Sequence, residues 1–309
     1  MNQKHDDIRL SPEEFRLLRE LFNQHCGLQF GPESRLSVER RLRERLAVLG
    51  HRSFGEYHQY LRHHPRGRAE LDEALDAVTV NETYFFREDY QLRALRSEIV
   101  PMLVKAGGAR NRLSIWSAGC STGEEVYSIA MVAHEAGLTA SREVRVFGSD
   151  ISRRCIAAAR RGVYGSSSFR AIPPEMRRHY FHERADGAHV VDEIRAMCQF
   201  GRLNLLDGSS ARVVSGVDII FCRNVLIYFD EPSRIKVINS FHERLLPGGF
   251  LLLGHSESLL NVPTKFELVH LREDLVYRKP AAPIRLGPAE PPAEESPVKP
   301  PFQKPSLSG

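Results

Sequence analysis

Residues 113–125 of this 309-residue chain, LSIWSAGCSTGEE, pass from an apolar run through a turn holding Gly119 and Gly123 into a helical stretch. No other feature constrains the fold as much. A strand that enters a helix through a glycine turn is the first half of a βα unit, and it sets the helix N-terminus at the carboxyl edge of a parallel sheet. The pattern continues. Apolar runs at 144–148, 217–222, 250–253, 267–271 and 275–277 alternate with helical periodicity at 124–135, 152–160, 174–181 and 232–246. That alternation predicts an α/β architecture with a mostly parallel sheet. Residues 183–200 interrupt it with partial alternation around an Asp186-Gly187 turn, which predicts a small β-rich insertion.

The flanks differ from this central block. Ser11, Pro12 and Glu14 form a helix start, with serine capping and glutamate closing a capping box, and Phe15, Leu18, Leu21 and Phe22 follow at helical spacing. A second helix is expected from Gly31 and Pro32 to Gly50. On its wheel Val38, Leu42, Leu46 and Leu49 share one face, Arg40, Arg43 and Glu44 point away, and Arg41 lies on the shoulder. Residues 1–78 therefore read as an all-helical domain and 79–278 as the α/β domain. Nine of the 18 prolines follow Arg278, so 279–309 reads as a disordered tail.

Composition excludes several classes. With 42% hydrophobic and 27% charged residues, the chain has enough apolar side chains for a sizeable core, and it contains no apolar run near the ~18 residues that a membrane-spanning helix needs. The polar start carries Asp6 and Asp7 where a signal peptide would be apolar. Five cysteines, an odd number without a CxxC pair, read as free thiols, and a cytoplasmic protein is expected. His51, His58, His63 and His64 lack a ligand framework, so no metal site is expected. A net charge of +4 does not by itself point to nucleic acid. Between Arg35 and Arg68, however, nine arginines face three glutamates, a local excess that fits either a solvated helix face or a docking surface.

The glycine turn also restricts the ligand. No Lys-Ser/Thr pair follows the second glycine and the spacing is not GxGxxG, so neither phosphate-binding fingerprint is present. A nucleoside ligand without a phosphate requirement remains, and Glu124, Glu125 and Asp150 are the acidic residues near that edge. At a strand end, Asp150 suits ribose hydroxyls or, alternatively, caps the helix opening at Ser152. Arg223 and Asn224 follow the strand at 217–222, and Asn204 follows 200–203, at the same edge. Upstream, NETYFFR (81–87) offers polar Asn81, Thr83 and Arg87 around Tyr84, Phe85 and Phe86, whose aromatic rings read as core.

Taken in order, NETYFFR, WSAGCSTGEEVYSIA, FGSDIS, LNLL, FCRNVLIYF and LPGGFLLLGHSES, spread over 81–258, resemble the CheR family of chemotaxis protein-glutamate O-methyltransferases. The resemblance implies a Rossmann-like methyltransferase sheet, S-adenosylmethionine as methyl donor with S-adenosylhomocysteine as product, and no metal. It implies glutamates of methyl-accepting chemotaxis receptors as acceptors, and a monomer. By position it places donor contacts on Asn81, Thr83, Arg87, Glu125, Asp150, Asn204, Leu205, Arg223 and Asn224. Arg87 and Tyr228 fall beside the reacting methyl group. Receptor helices rich in glutamate would meet the helix bearing Arg40, Arg41 and Arg43. Val126 departs from the family's usual proline. The 183–200 insertion is shorter than in members that grip a receptor's C-terminal peptide, so no such grip is expected. A nucleic-acid methyltransferase is disfavoured by FCRN standing where a Pro-Pro-Tyr-type motif would be. A donor-binding regulator without activity is disfavoured by the complete residue set.

Overall fold

The computed structural model describes residues 8–106, 112–139, 144–208 and 214–281. The proline-rich tail lies outside the described residues except for its first three positions. Lys279 belongs to the fold: its N–H donates to the Gly249 carbonyl at 2.8 Å and its Nζ to His242 and Leu245, both at 2.7 Å.

Four helices open the chain, α1 (Pro12–Cys26), α2 (Arg35–Leu49), α3 (Phe54–His63) and α4 (Gly67–Val78). α1 begins with the expected capping box, the Ser11 hydroxyl accepting from Glu14 N and the Glu14 side chain accepting from Ser11 N. α2 follows a tight turn over Pro32–Ser34 and stops at Gly50, which takes φ +74°. Phe15, Leu18, Phe22, Leu42, Leu46 and Tyr57 are buried together at the centre of this domain. A longer helical passage follows, α5 (Asp89–Ala94), a π-helical stretch over Leu95–Ile99 and α6 (Val100–Ala106), leading to the first strand.

The α/β domain contains β1 (Leu113–Ala118), α7 (Glu124–Glu135), β2 (Val144–Asp150), α8 (Arg153–Arg161), β3 (Val163–Tyr164), α9 (Pro174–Tyr180), β4 (Phe181–Arg184) and β5 (Gly187–Val190). It continues through α10 (Asp192–Met197), β6 (Cys198–Arg202), β7 (Val217–Cys222), α11 (Glu231–Arg244), β8 (Leu245–Leu253), β9 (Glu267–His270) and β10 (Leu275–Arg278). Seven strands form one sheet in the order β6-β2-β1-β7-β8-β10-β9. The first five strands run parallel and the last two antiparallel. From β1 the chain builds outward to β2 and β6, then returns to place β7 on the other side of β1. The direction of winding reverses between β1 and β7, and a crevice opens there beyond the carboxyl ends of the strands.

Strand alternation sorts the core into two layers. Ile115, Val146, Phe221 and Leu252 face the layer shared with α7, while Trp116, Ile220, Cys222 and Leu251 face that shared with α11. Trp116 packs edge-on against Phe241 with ring centroids 5.3 Å apart. Burial of one such side chain contributes about 1.5–3 kcal/mol.

The expected insertion needs correcting. A separate antiparallel sheet exists, but its order is β3-β5-β4 and it spans 163–190, whereas 198–202 is the parallel edge strand beside β2. Residues 183–200 therefore straddle two sheets with α10 between them. The six residues of α10 reverse the chain, and the parallel register of Phe200 with Gly148 is a long-range pairing that local alternation does not encode.

Candidate active site

Each parallel strand from β6 to β7 ends at one cavity of about 330 Å³. Its walls include Gly119 and Ser121 after β1, Asp150 at the end of β2, Leu203, Asn204 and Leu205 after β6, and Arg223 and Asn224 after β7. Asn81, Thr83 and Arg87 cross it from the linker, and Tyr228 joins from the turn after β7. All ten site residues expected from the sequence thus line one space, with Glu125 on the first turn of α7.

Local geometry explains why. Gly119 sits at φ +82°, and a Cβ there would lie 2.4 Å from Val225 Cγ2, so only glycine lets the β1 turn close under the β7 turn. Ser121 N and Ser152 N donate to the two oxygens of Asp150 at 2.8 and 2.9 Å. Asp150 is not the cap of α8. Ser152 is, its hydroxyl accepting from Cys155 N at 3.1 Å. Asp150 instead joins the two loops that edge the cavity. Burial raises its pKa against the opposing pull of these N–H bonds. A carboxylate has about four lone-pair sites, so two remain to accept from a diol.

Arg223 is buried, and its bonds run within the protein. Nη1 donates to Glu125 Oε2 at 3.2 Å, while Nη2 donates to the Arg87 carbonyl at 2.5 Å and to Glu88 Oε2 at 3.2 Å. It ties β7, α7 and the 81–88 segment into one wall. Burial raises the pKa of Glu125 although Arg223 opposes it. Burial also acts upward on Glu88, but Arg223 and His255 outweigh it and leave that carboxyl below its usual range. Asn204 is likewise engaged, donating to the His25 carbonyl at 2.7 Å and accepting from Leu206 N at 3.0 Å. Arg87 donates to the Glu82 carbonyl at 3.1 Å and remains partly accessible. Tyr228 is 36% exposed.

The aromatic trio divides. Phe85 and Phe86 are core, Phe85 stacking on Phe169 and meeting Phe181 edge-on, whereas Tyr84 lines the cavity under the Arg170 guanidinium at 3.8 Å. Val126 is fully buried, its Cγ2 filling the space beside Gly148. Cys120 lines the cavity with its thiol pKa pushed well up by burial, which leaves no thiolate to act as a nucleophile. Cys222 does not line it and packs in the α11 layer. Among the described residues, no group of three or more His, Cys, Asp or Glu is placed to hold a metal ion.

Sequence reasoning missed three participants. Arg41 turns inward from α2 to line the cavity, donating to the Val78 and Thr79 carbonyls at 2.8 and 3.2 Å. Glu88 anchors Arg223. Glu257 binds the turn after β7 through backbone amides. Arg41 carried a signal in its shoulder position on the helical wheel, and Glu257 in its place within LPGGFLLLGHSES, although no role was attached to it; Glu88 carried none.

Residues 81–275 match the family described as CheR methyltransferase, SAM binding domain, and residues 13–79 match its all-alpha domain. The chain belongs to the CheR methyltransferase family. Chemotaxis protein methyltransferase 2 of Vibrio cholerae serotype O1 is 36% identical over 277 residues, 89% of this chain and 96% of that protein. Chemotaxis protein methyltransferase 1 of Pseudomonas aeruginosa is 35% identical, covering 86% of this chain and 97% of its own length. The chemotaxis protein methyltransferase of Borreliella burgdorferi is 34% identical over 82% of this chain and 90% of its length. This CheR methyltransferase is thus an S-adenosylmethionine-dependent enzyme of chemotaxis. The cavity suits the donor: Asp150 has acceptor capacity free for hydroxyls, and Gly119 and Ser121 of the β1 turn line the same space. No helix among the described residues is long and apolar enough to cross a membrane.

Proposed function

We propose that this protein methylates glutamate side chains of methyl-accepting chemotaxis receptors, forming methyl esters, and acts as a monomer in the cytoplasm. One observation carries the acceptor assignment: the buried carboxylates of the cavity are already engaged. Asp150 holds two backbone amides, and Glu125 accepts from Ser117 Oγ at 2.7 Å and from Arg223. With the ribose hydroxyls of the donor on the two remaining acceptor sites of Asp150, neither carboxylate is left to take a proton from an acceptor. A glutamate, with a pKa of about 4.3, is already an anion at neutral pH and needs no general base.

Bound S-adenosylmethionine supplies an electrophilic methyl on a sulfonium. Asp150 holds the ribose hydroxyls, and Asn81, Thr83, Asn224 and the backbone of 203–205 complete the donor wall. Asn204 and Arg223 act on that wall through the bonds described above. Arg87 and Tyr228, the partly exposed members of the set, orient the incoming carboxylate. Arg87 offers a charge-assisted donor and Tyr228 a hydroxyl. Closing the cavity over the acceptor removes water that would hold the charges apart and aligns the reacting oxygen.

α2 supports receptor docking in a form different from the sequence expectation. Arg40 is exposed, Arg43 pairs with the buried Glu39 at 2.6 Å, and Arg41 faces the cavity. The docking charge is therefore graded from the outer face toward the site, complementary to a glutamate-rich helix. The test uses methyl-labelled donor and receptor-containing membranes, followed by mild alkali. Volatile methanol identifies a carboxyl ester; label that survives alkali overturns the proposal.

A further inference from the structure

The turn that carries Asn224 and Tyr228 has no regular element to hold it. Asn224 takes φ +58°, a left-handed conformation uncommon outside glycine, and a single tight helical turn over Leu226–Tyr228 follows. The first N–H groups of such a turn have no partner within it. Here they converge on one side chain. Glu257 Oε1 accepts from Val225 N at 2.9 Å, Leu226 N at 2.7 Å and Ile227 N at 3.3 Å. Its Oε2 accepts from Asn224 N and Gly254 N, both at 2.8 Å. Glu257 N in turn donates to the Gly254 carbonyl at 2.8 Å, so the carboxylate rests on a tight turn just past β8. A Cβ on Gly254 would lie 2.9 Å from both Asn224 N and Glu257 Oε2, so the approach is as close as glycine permits.

We infer that Glu257 is a positioning residue for methyl transfer, fixing the donor side and the acceptor side of the cavity with one carboxylate. The inference rests on the proposed reaction and adds a residue to it. Oε2 governs Asn224, on the donor wall. Oε1 governs the Val225–Ile227 amides, which set Tyr228 at the acceptor side and press Val225 against Gly119. The two oxygens therefore have separable tasks, and an amide in place of the carboxylate separates them. In Glu257→Gln the single oxygen is best placed toward the three amides at Oε1, which leaves an NH2 group facing Asn224 N and Gly254 N.

The test compares wild type, Glu257→Gln and Glu257→Ala. Binding of S-adenosylhomocysteine is measured by calorimetry without acceptor, and kcat is normalised to binding-competent protein. Glu257→Gln should bind the product about tenfold more weakly, the effect of one orphaned backbone donor pair, with kcat within about threefold of wild type. Glu257→Ala should lose both affinity and kcat. If the alanine variant does not fold, the glutamine variant alone carries the test. A purely structural role would lower melting temperature and binding stoichiometry while leaving the affinity and kcat of the competent fraction unchanged, and that result overturns the inference. Equal losses of affinity and kcat in Glu257→Gln also overturn it. A wild type that binds S-adenosylhomocysteine but labels no receptor refutes the acceptor proposal, and the binding arm still decides the donor half of this one.

Discussion

Arg223→Met removes the cation at the centre of the cavity wall while keeping most of its volume. Three bonds disappear, to Glu125, Glu88 and the Arg87 carbonyl, and two largely buried carboxylates lose their shared counter-charge. Breaking one partner out of a buried pair costs about 3–5 kcal/mol. The low end applies, because Glu125 keeps the Ser117 hydroxyl and Glu88 keeps His255 and Tyr90. At pH 7 a loss of about 3 kcal/mol is expected.

The loss should depend on pH. In the wild type Glu88 has a lowered pKa, so its contribution is present above its unfolded value near 4.3 and disappears as pH falls through the folded one. Glu125 has a raised pKa, so its ionisation costs stability as pH rises past about 4.3. Without Arg223 both carboxyls are raised by burial. The variant's native state then binds more protons than its unfolded state above about pH 4.3, and its stability falls as pH rises from there, where the wild-type Glu88 contribution stays constant. Near pH 4.5 the destabilisation should shrink to about 1–2 kcal/mol, mostly lost hydrogen bonding. Urea unfolding followed by circular dichroism at both pH values measures it. A difference below about 1 kcal/mol at pH 7, or one equal at both pH values, refutes the assignment of Arg223 as the counter-charge of two carboxylates.

Arg87→Ala and Tyr228→Phe should lower kcat by roughly ten- to a hundredfold while donor affinity changes much less, which steady-state kinetics and calorimetry would resolve; equal losses in both would remove these residues from the acceptor side. Asp150→Asn should weaken donor binding by about 2 kcal/mol, one charge-assisted hydrogen bond, with little effect on the Michaelis constant for receptor. Arg40→Glu should raise the apparent Michaelis constant for receptor at unchanged donor affinity. Arg41→Ala, which frees the Val78 and Thr79 carbonyls beside the cavity, should also reduce donor affinity; identical behaviour of the two variants would contradict their different placement.

Much of this arrangement is readable along the chain because it is local. The β1 turn and α7 need only consecutive residues, and α7 starts and stops where periodicity places it, at Glu124 and Glu135. Asp150, Arg223 and Asn224 were legible because each immediately follows an apolar strand, so sheet polarity alone brings them to one edge. β6 was not. Cys198–Arg202 is a short edge strand of mixed polarity whose pairing with β2 depends on residues about fifty positions apart. Strand polarity identified Arg223 as an edge residue but not its partners, since Glu88 lies 135 positions away. Asn204 was placed correctly in the wall, yet its amide is spent on His25 in α1, a contact that exists only once the domains dock. Glu257 is the extreme case, a polar residue in a loop whose partners are all backbone amides.

The seam beside Tyr228 has a consequence for how this enzyme can be recombined. Leu28 pairs with Phe229 as an antiparallel bridge, Gln29 N donates to the Tyr228 carbonyl at 2.8 Å, and Asn23 reaches Asp230 at 2.7 Å. On the other flank Asp72 and Asp76 of α4 receive Arg153, Arg154 and Arg202. The helical domain thus supplies part of the cavity wall and is not a detachable adaptor. A chimera that exchanges residues 1–79 between relatives would transplant a stretch of cavity wall along with the face proposed to dock the receptor. Receptor preference and donor affinity would be inherited together, and only grafts that also exchange the matching 226–230 turn would vary one without disturbing the other.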